Sequence, residues 1–131
     1  MKRKIISTSK APEAIGPYSQ AVHLPGQGLV FTAGQIPIDP ANGEISGPSI
    51  QVQARQALDN LKAVLVAAGS EMTDVVKTTV YLKNMDDFMA MNQIYAEYFP
   101  DNPPARSAVE VSRLPRNVLI EIECVAVVRD A

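Results

Sequence analysis

"SIQVQARQALDNLKAVLVAAGSEMTDVVKTTVYLK", residues 49–83, changes its periodicity half-way along. Val52, Ala54, Ala57, Leu58, Leu61, Val64, Leu65 and Ala68 recur at helical spacing and make a broad apolar stripe, and Gly69 supplies the stop. From Thr73 to Lys83 the pattern alternates instead. Val76, Thr78, Val80 and Leu82 fall on one side, and Lys77, Thr79, Tyr81 and Lys83 on the other, the period of a half-buried strand. A helix followed directly by a strand excludes an all-β or an all-α chain.

Working outward, residues 3–7 (RKIIS) read as a short opening strand, followed by a loop punctuated by Pro12, Gly16 and Pro17 that leads to Tyr18. "YSQAVHL" and "GLVFTAGQIPI" are separated by Pro25-Gly26-Gln27 and suggest a hairpin, and Asn42-Gly43 signals a further turn. On the C-terminal side a second helix starts near Asn84 or Asp86 and closes at Pro100. Phe88, Met91, Tyr95 and Tyr98 lie at helical spacing along it and read as core. "ARSAVEV" and "VLIEIECVAVV" read as two last strands, joined by "SRLPRN" in a hairpin. Strand runs interleaved with two long helices predict an α+β domain, one mixed sheet with both helices on the same face.

The 131 residues fit a single domain, 1–131, able to bury a core without disulfides or metal. Apolar residues at 47% and charged ones at 20% are globular values, and a net charge of -2 gives no general attraction to nucleic acid. One cysteine and one histidine leave no multi-Cys/His metal site. Cys124 sits in an apolar run and reads as a buried small hydrophobe, whereas His23, before a Pro-Gly turn, reads as surface or rim. No window is apolar enough to span a bilayer, and a reducing cytoplasm is the simplest home.

Alternation along the last two strands places Ser107, Val109 and Val111, with Ile120, Ile122, Cys124, Ala126 and Val128, toward the helices. Arg106, Ala108, Glu110, Glu121 and Glu123 then share the opposite face with Leu119, Val125 and Val127. Apolar and charged residues mixed in this way suit a face closed by another subunit around a polar pocket, so a homo-oligomer is expected. For Arg106 two readings stay open: an ordinary surface or interface ion pair with Glu110, Glu121 or Glu123, or a planar fork that receives a small carboxylate through two parallel hydrogen bonds. Glu121 has the same duality, as an ion-pair partner or a carboxylate placed to orient water.

"IGPYSQAV" (15–22), "FTAGQIPIDPANGEI" (31–45), "QARQALDNLKAVLVAAG" (53–69), "VVKTTVYLKNMDDFMAMNQIYAEYF" (75–99) and "PPARSAVEVSRLPRNVLIEIECVAV" (103–127) resemble the Rid family of reactive-intermediate deaminases, RidA type, over essentially the whole chain. The resemblance implies a chorismate-mutase-like fold, a homotrimer whose sheets form a central barrel, and ligand sites in the clefts between subunits. It implies hydrolysis of 2-iminobutanoate and 2-iminopropanoate, the latter from 2-aminoacrylate, to 2-oxo acids and ammonia, with neither metal nor cofactor. Arg106 would clamp the substrate carboxylate, with the Gly34 backbone and the main chain at Ala108 completing the cradle. Glu121 would position the attacking water, and Tyr18, Phe88 and Asn92 would shape the cleft from a neighbouring subunit. Ala108 stands where the family often has cysteine, which excludes a thiol mechanism there, and Ala33 stands where it often has serine. The competing expectations are a non-catalytic module that binds 2-oxo acids, an endoribonuclease or translation inhibitor, and a holdase-type chaperone.

Overall fold

The computed structural model describes residues 2–129. Strands β1 (Lys4–Ile6), β2 (Ala21–Leu24) and β3 (Leu29–Thr32) are followed by a short β4 (Ile38–Asp39) and β5 (Glu44–Ile45). Helix α1 (Ile50–Ala67), strand β6 (Val75–Leu82), helix α2 (Phe88–Tyr98), and strands β7 (Ala105–Glu110) and β8 (Ile120–Val127) complete the chain. Six strands form one sheet in the order β1-β2-β3-β8-β6-β7, while β4 and β5 pair around the Asn42-Gly43 turn. The α+β expectation with both helices on one face holds.

Local chemistry explains the helix limits. Ser49 Oγ accepts a hydrogen bond from the Val52 amide at 3.2 Å and so caps α1. At the other end Gly69 takes φ +83°; its N–H bonds Val66 O at 3.1 Å and Ser70 N–H bonds Leu65 O at 2.8 Å, which occupies carbonyls the helix leaves free. The stripe of α1 buries Leu58, Leu61 and Leu65 against Val30, Val80, Ile120 and Ile122 of the sheet and Met91 of α2. Val52 stands outside that stripe, exposed, and Ile50 is buried in its place. Each such side chain, fully removed from water, contributes roughly 2 kcal/mol.

Three expectations are corrected. β7 and β8 do not form a hairpin: β6 lies between them, parallel to β7 and antiparallel to β8. A strand, an intervening helix and a second strand favour parallel pairing, because the helix carries the chain back over the sheet. The linking segment contains a 3-10 turn at Pro115–Asn117, with Arg116 and Asn117 at positive φ, and it carries the chain past β6 rather than reversing it in place. Second, the parity of β7 is inverted. Arg106 pairs with Thr78, which is fully buried under the helices, so Arg106 and Ala108 face the helix side and Ser107 and Val109 the other. Third, His23 is buried in β2, and its Nε2 finds no hydrogen-bond partner among the described residues. Cys124 is buried as expected, with Thr32 Oγ1 accepting from its backbone amide at 3.0 Å.

Candidate functional site

Helix α2 presents Phe88, Asn92 and Tyr95 at i, i+4 and i+7, one face of the helix, and that face lies over the edge strand β7. There it seats Arg106. One guanidinium N–H donates to Asn92 Oδ1 at 2.7 Å, and the guanidinium carbon lies 4.7 Å from the Tyr95 ring centre and 5.3 Å from that of Phe88. Rings near a cation attract it through their negative faces. Among the described residues of the chain no carboxylate lies within ion-pair distance of Arg106, so no ion pair within the chain holds it. The half-buried guanidinium opens on a cleft of about 470 Å³ walled by Tyr95, Ala96, Phe99, Pro103 and Pro104. Ala108, two residues on, packs at the margin of the core, and β7 leaves one backbone edge unpaired by the sheet.

The second group stands on the helix-free face. Glu121 of β8 neighbours Tyr81 of β6, whose hydroxyl donates to Glu123 Oε1 at 2.9 Å. Partial burial pushes the Glu121 carboxyl above the usual carboxylate range, and the negative charge of Glu123 adds to the effect. Gly34 lies directly against it: a Cβ there would overlap Glu121 Oε2 and come within 2.7 Å of Cδ and 2.9 Å of Cγ. The chain at 33–36 is fixed by reciprocal Gln35 and Ile122 backbone bonds of 2.7 and 3.1 Å. A side chain here would therefore displace the Glu121 carboxylate from its present position.

Arg106 and Glu121 do not emerge on the same side of the sheet, as strand parity suggests. Three residues along β6 and two strand spacings separate their backbone positions by about 14 Å, on opposite faces. Phe88 and Asn92 belong with Arg106 in its own chain, not across a seam. Tyr18 joins neither group; it is exposed, beside a separate cleft of about 610 Å³ lined by residues of the N-terminal loop. One chain thus carries two separate groups, a guanidinium with its aromatic and amide seat, and a carboxylate against a glycine. Among the described residues no three His, Cys, Asp or Glu side chains cluster as a metal set would.

The family model described as "Endoribonuclease L-PSP" matches residues 8–128. A RutC family protein of Pyrococcus horikoshii is 57% identical over 124 residues, covering 95% of this chain and 97% of that one. A solved structure from Yersinia pestis, described as a protein of unknown function of the conserved Rid protein family, aligns with a TM-score of 0.92 at 45% identity, covering 97% of this chain and all of that one. The chain belongs to the Rid family. A further solved structure, E. coli TdcF with bound serine, aligns with a TM-score of 0.90 at 47% identity over 97% of this chain and 99% of that one.

In this Rid chain the residue that sequence reasoning missed is Tyr95, which the helical stripe assigns only to the core. Its hydroxyl is 2.7 Å from Thr78 Oγ1, and burial raises its phenol above the ordinary range although Thr78 and the Arg106 charge act the other way. The available signal was the i, i+4, i+7 series of Phe88, Asn92 and Tyr95. A polar residue set between two aromatics suits a seat for a cation better than a plain core face.

Proposed function

We propose that this Rid protein is a 2-iminobutanoate/2-iminopropanoate deaminase of RidA type, acting in the cytoplasm as a single-domain subunit of a homotrimer with sites at the seams. The observation that carries the proposal is Arg106, seated by two rings and an amide oxygen yet without a carboxylate partner among the described residues. Such a guanidinium keeps N–H donors for an incoming carboxylate and holds them in a fixed plane. The separation of Arg106 from Glu121 supports a site completed by a second subunit, whose helix-free face would bring Glu121 and Gly34 and whose N-terminal loop would bring Tyr18.

In that site Arg106 holds the substrate carboxylate and orients the adjacent C=N carbon. Glu121, as a carboxylate, accepts a proton from water as the water oxygen adds to the carbon of the protonated imine, then passes that proton to the nitrogen and takes the one the new hydroxyl sheds as the C–N bond breaks. The resulting carbinolamine expels ammonia and leaves the 2-oxo acid. A protonated imine is already electrophilic, so orientation and one proton acceptor suffice; each 1.4 kcal/mol removed from the barrier gives about tenfold in rate. A ribonuclease built on histidine acid and base is disfavoured, because the sole histidine, His23, is buried in β2.

The test is a coupled assay in which a pyridoxal-phosphate dehydratase generates 2-aminoacrylate and pyruvate release is followed. The wild type is expected to accelerate release, and Arg106→Lys to lose most of that gain. Full activity in the lysine variant would overturn the two-point clamp. Tight 2-oxobutanoate binding without any acceleration would favour the non-catalytic module.

A further inference from the structure

Behind Arg106 lies a buried polar contact that the clamp itself does not require. Thr78 is fully buried, stands directly across from Arg106 in the β6–β7 register, and lies 2.7 Å through its hydroxyl from that of Tyr95. The Tyr95 ring, itself 6% exposed, leans on Phe99 at 4.6 Å and presents its face to the guanidinium at 4.7 Å. An apolar pair would fill this volume without a polar group to satisfy, so the hydroxyls serve to fix the ring rather than to fill space.

We infer that Tyr95, held by Thr78, is a positioning residue that sets the plane of the Arg106 guanidinium for the substrate carboxylate. The inference rests on the clamp proposed for Arg106 and deepens it. Asn92 holds one N–H of the fork and the Tyr95 ring limits its tilt. The remaining N–H groups then face the cleft in a single orientation, which lowers the entropy lost when a carboxylate docks. A lysine ammonium has no plane to set, so the ring would matter little behind it.

The experiment is a double-mutant cycle on binding of 2-oxobutanoate, followed by calorimetry, with imine hydrolysis measured in parallel. Tyr95→Leu is expected to weaken binding about tenfold, and Tyr95→Phe, which keeps the ring, by no more than about threefold. KM should follow binding while kcat stays within about twofold. In the Arg106→Lys background Tyr95→Leu should add no further loss. A purely structural tyrosine would cost the same in both backgrounds, and that result, or a Phe variant as weak as the Leu variant, overturns the inference. Should Tyr95→Leu fail to fold, Thr78→Val carries the test: binding about threefold weaker is expected, and unchanged binding overturns it. Failure of the clamp is read separately, from Arg106→Lys alone binding as tightly as the wild type. Failure of the deaminase reading appears as absent turnover with binding intact.

Discussion

Gly34 shows how one missing methyl group sets a carboxylate. Because a Cβ at Gly34 would occupy the space of Glu121 Oε2, Gly34→Ala must rotate Glu121 away; imine hydrolysis is expected to fall at least tenfold while circular dichroism stays unchanged. Glu121 also gives a pH signature. Its carboxyl is raised by burial first and by Glu123 second, so the acid limb of the rate profile should lie above the ordinary carboxylate range. Glu123→Gln removes the second cause and should move that limb to lower pH. The same shift fixes the sign for stability. A carboxyl that holds its proton more tightly when folded contributes stability below its unfolded pKa, and that contribution is lost as pH rises through the folded one. Glu121→Gln should therefore melt at a higher temperature than the wild type at neutral pH, with the gain vanishing in acid.

Among the elements, α1 does more than cover the sheet. Buried Asn60 donates to Ile36 O at 3.0 Å and Ile38 O at 2.8 Å and so ties the helix to the segment that follows Gly34. Asn60→Leu would leave Ile38 O without its side-chain donor, while Ile36 O keeps the Ile38 amide at 2.8 Å, and is expected to cost about 1–3 kcal/mol, visible as a lower urea midpoint with an unchanged slope. The element order and both helices are legible in the sequence because the periods of α1 and β6 are strong and Ser49 and Gly69 bracket α1. The pairing around β7 is not. At the sheet margin its helix-facing positions are a charged Arg106 under α2 and a small Ala108 at the edge of the core, so the larger apolar Val109, 43% exposed, suggests the wrong parity. Arg106 and Glu121 stand out in the strand pattern on their own, whereas Gly34 enters only through the family resemblance. The division of these residues between two faces was not legible, since it follows from β6 lying between β7 and β8, a long-range pairing that leaves no local pattern.

For the whole molecule, the helix-free face carries Phe31, Val109 and Val127 at 37–44% exposure beside the Glu121 group, an apolar surface suited to burial against further copies. A homotrimer should show about three chains' mass in solution, and a stable, active monomer would contradict it. Composite sites make a sharper expectation. If one subunit supplies Arg106 and its neighbour supplies Glu121, co-refolding the inactive variants Arg106→Lys and Glu121→Gln in equal amounts restores about one quarter of the sites. Sites contained within one chain would restore none. The single thiol bears on the same chemistry. Cys124 is sealed between sheet and helices, and burial pushes it up to about 12. Enamines and imines couple readily with sulfur nucleophiles, and this protein offers them none within reach. A deaminase of the kind proposed would thus turn over its reactive substrate with no exposed thiol for that substrate to alkylate.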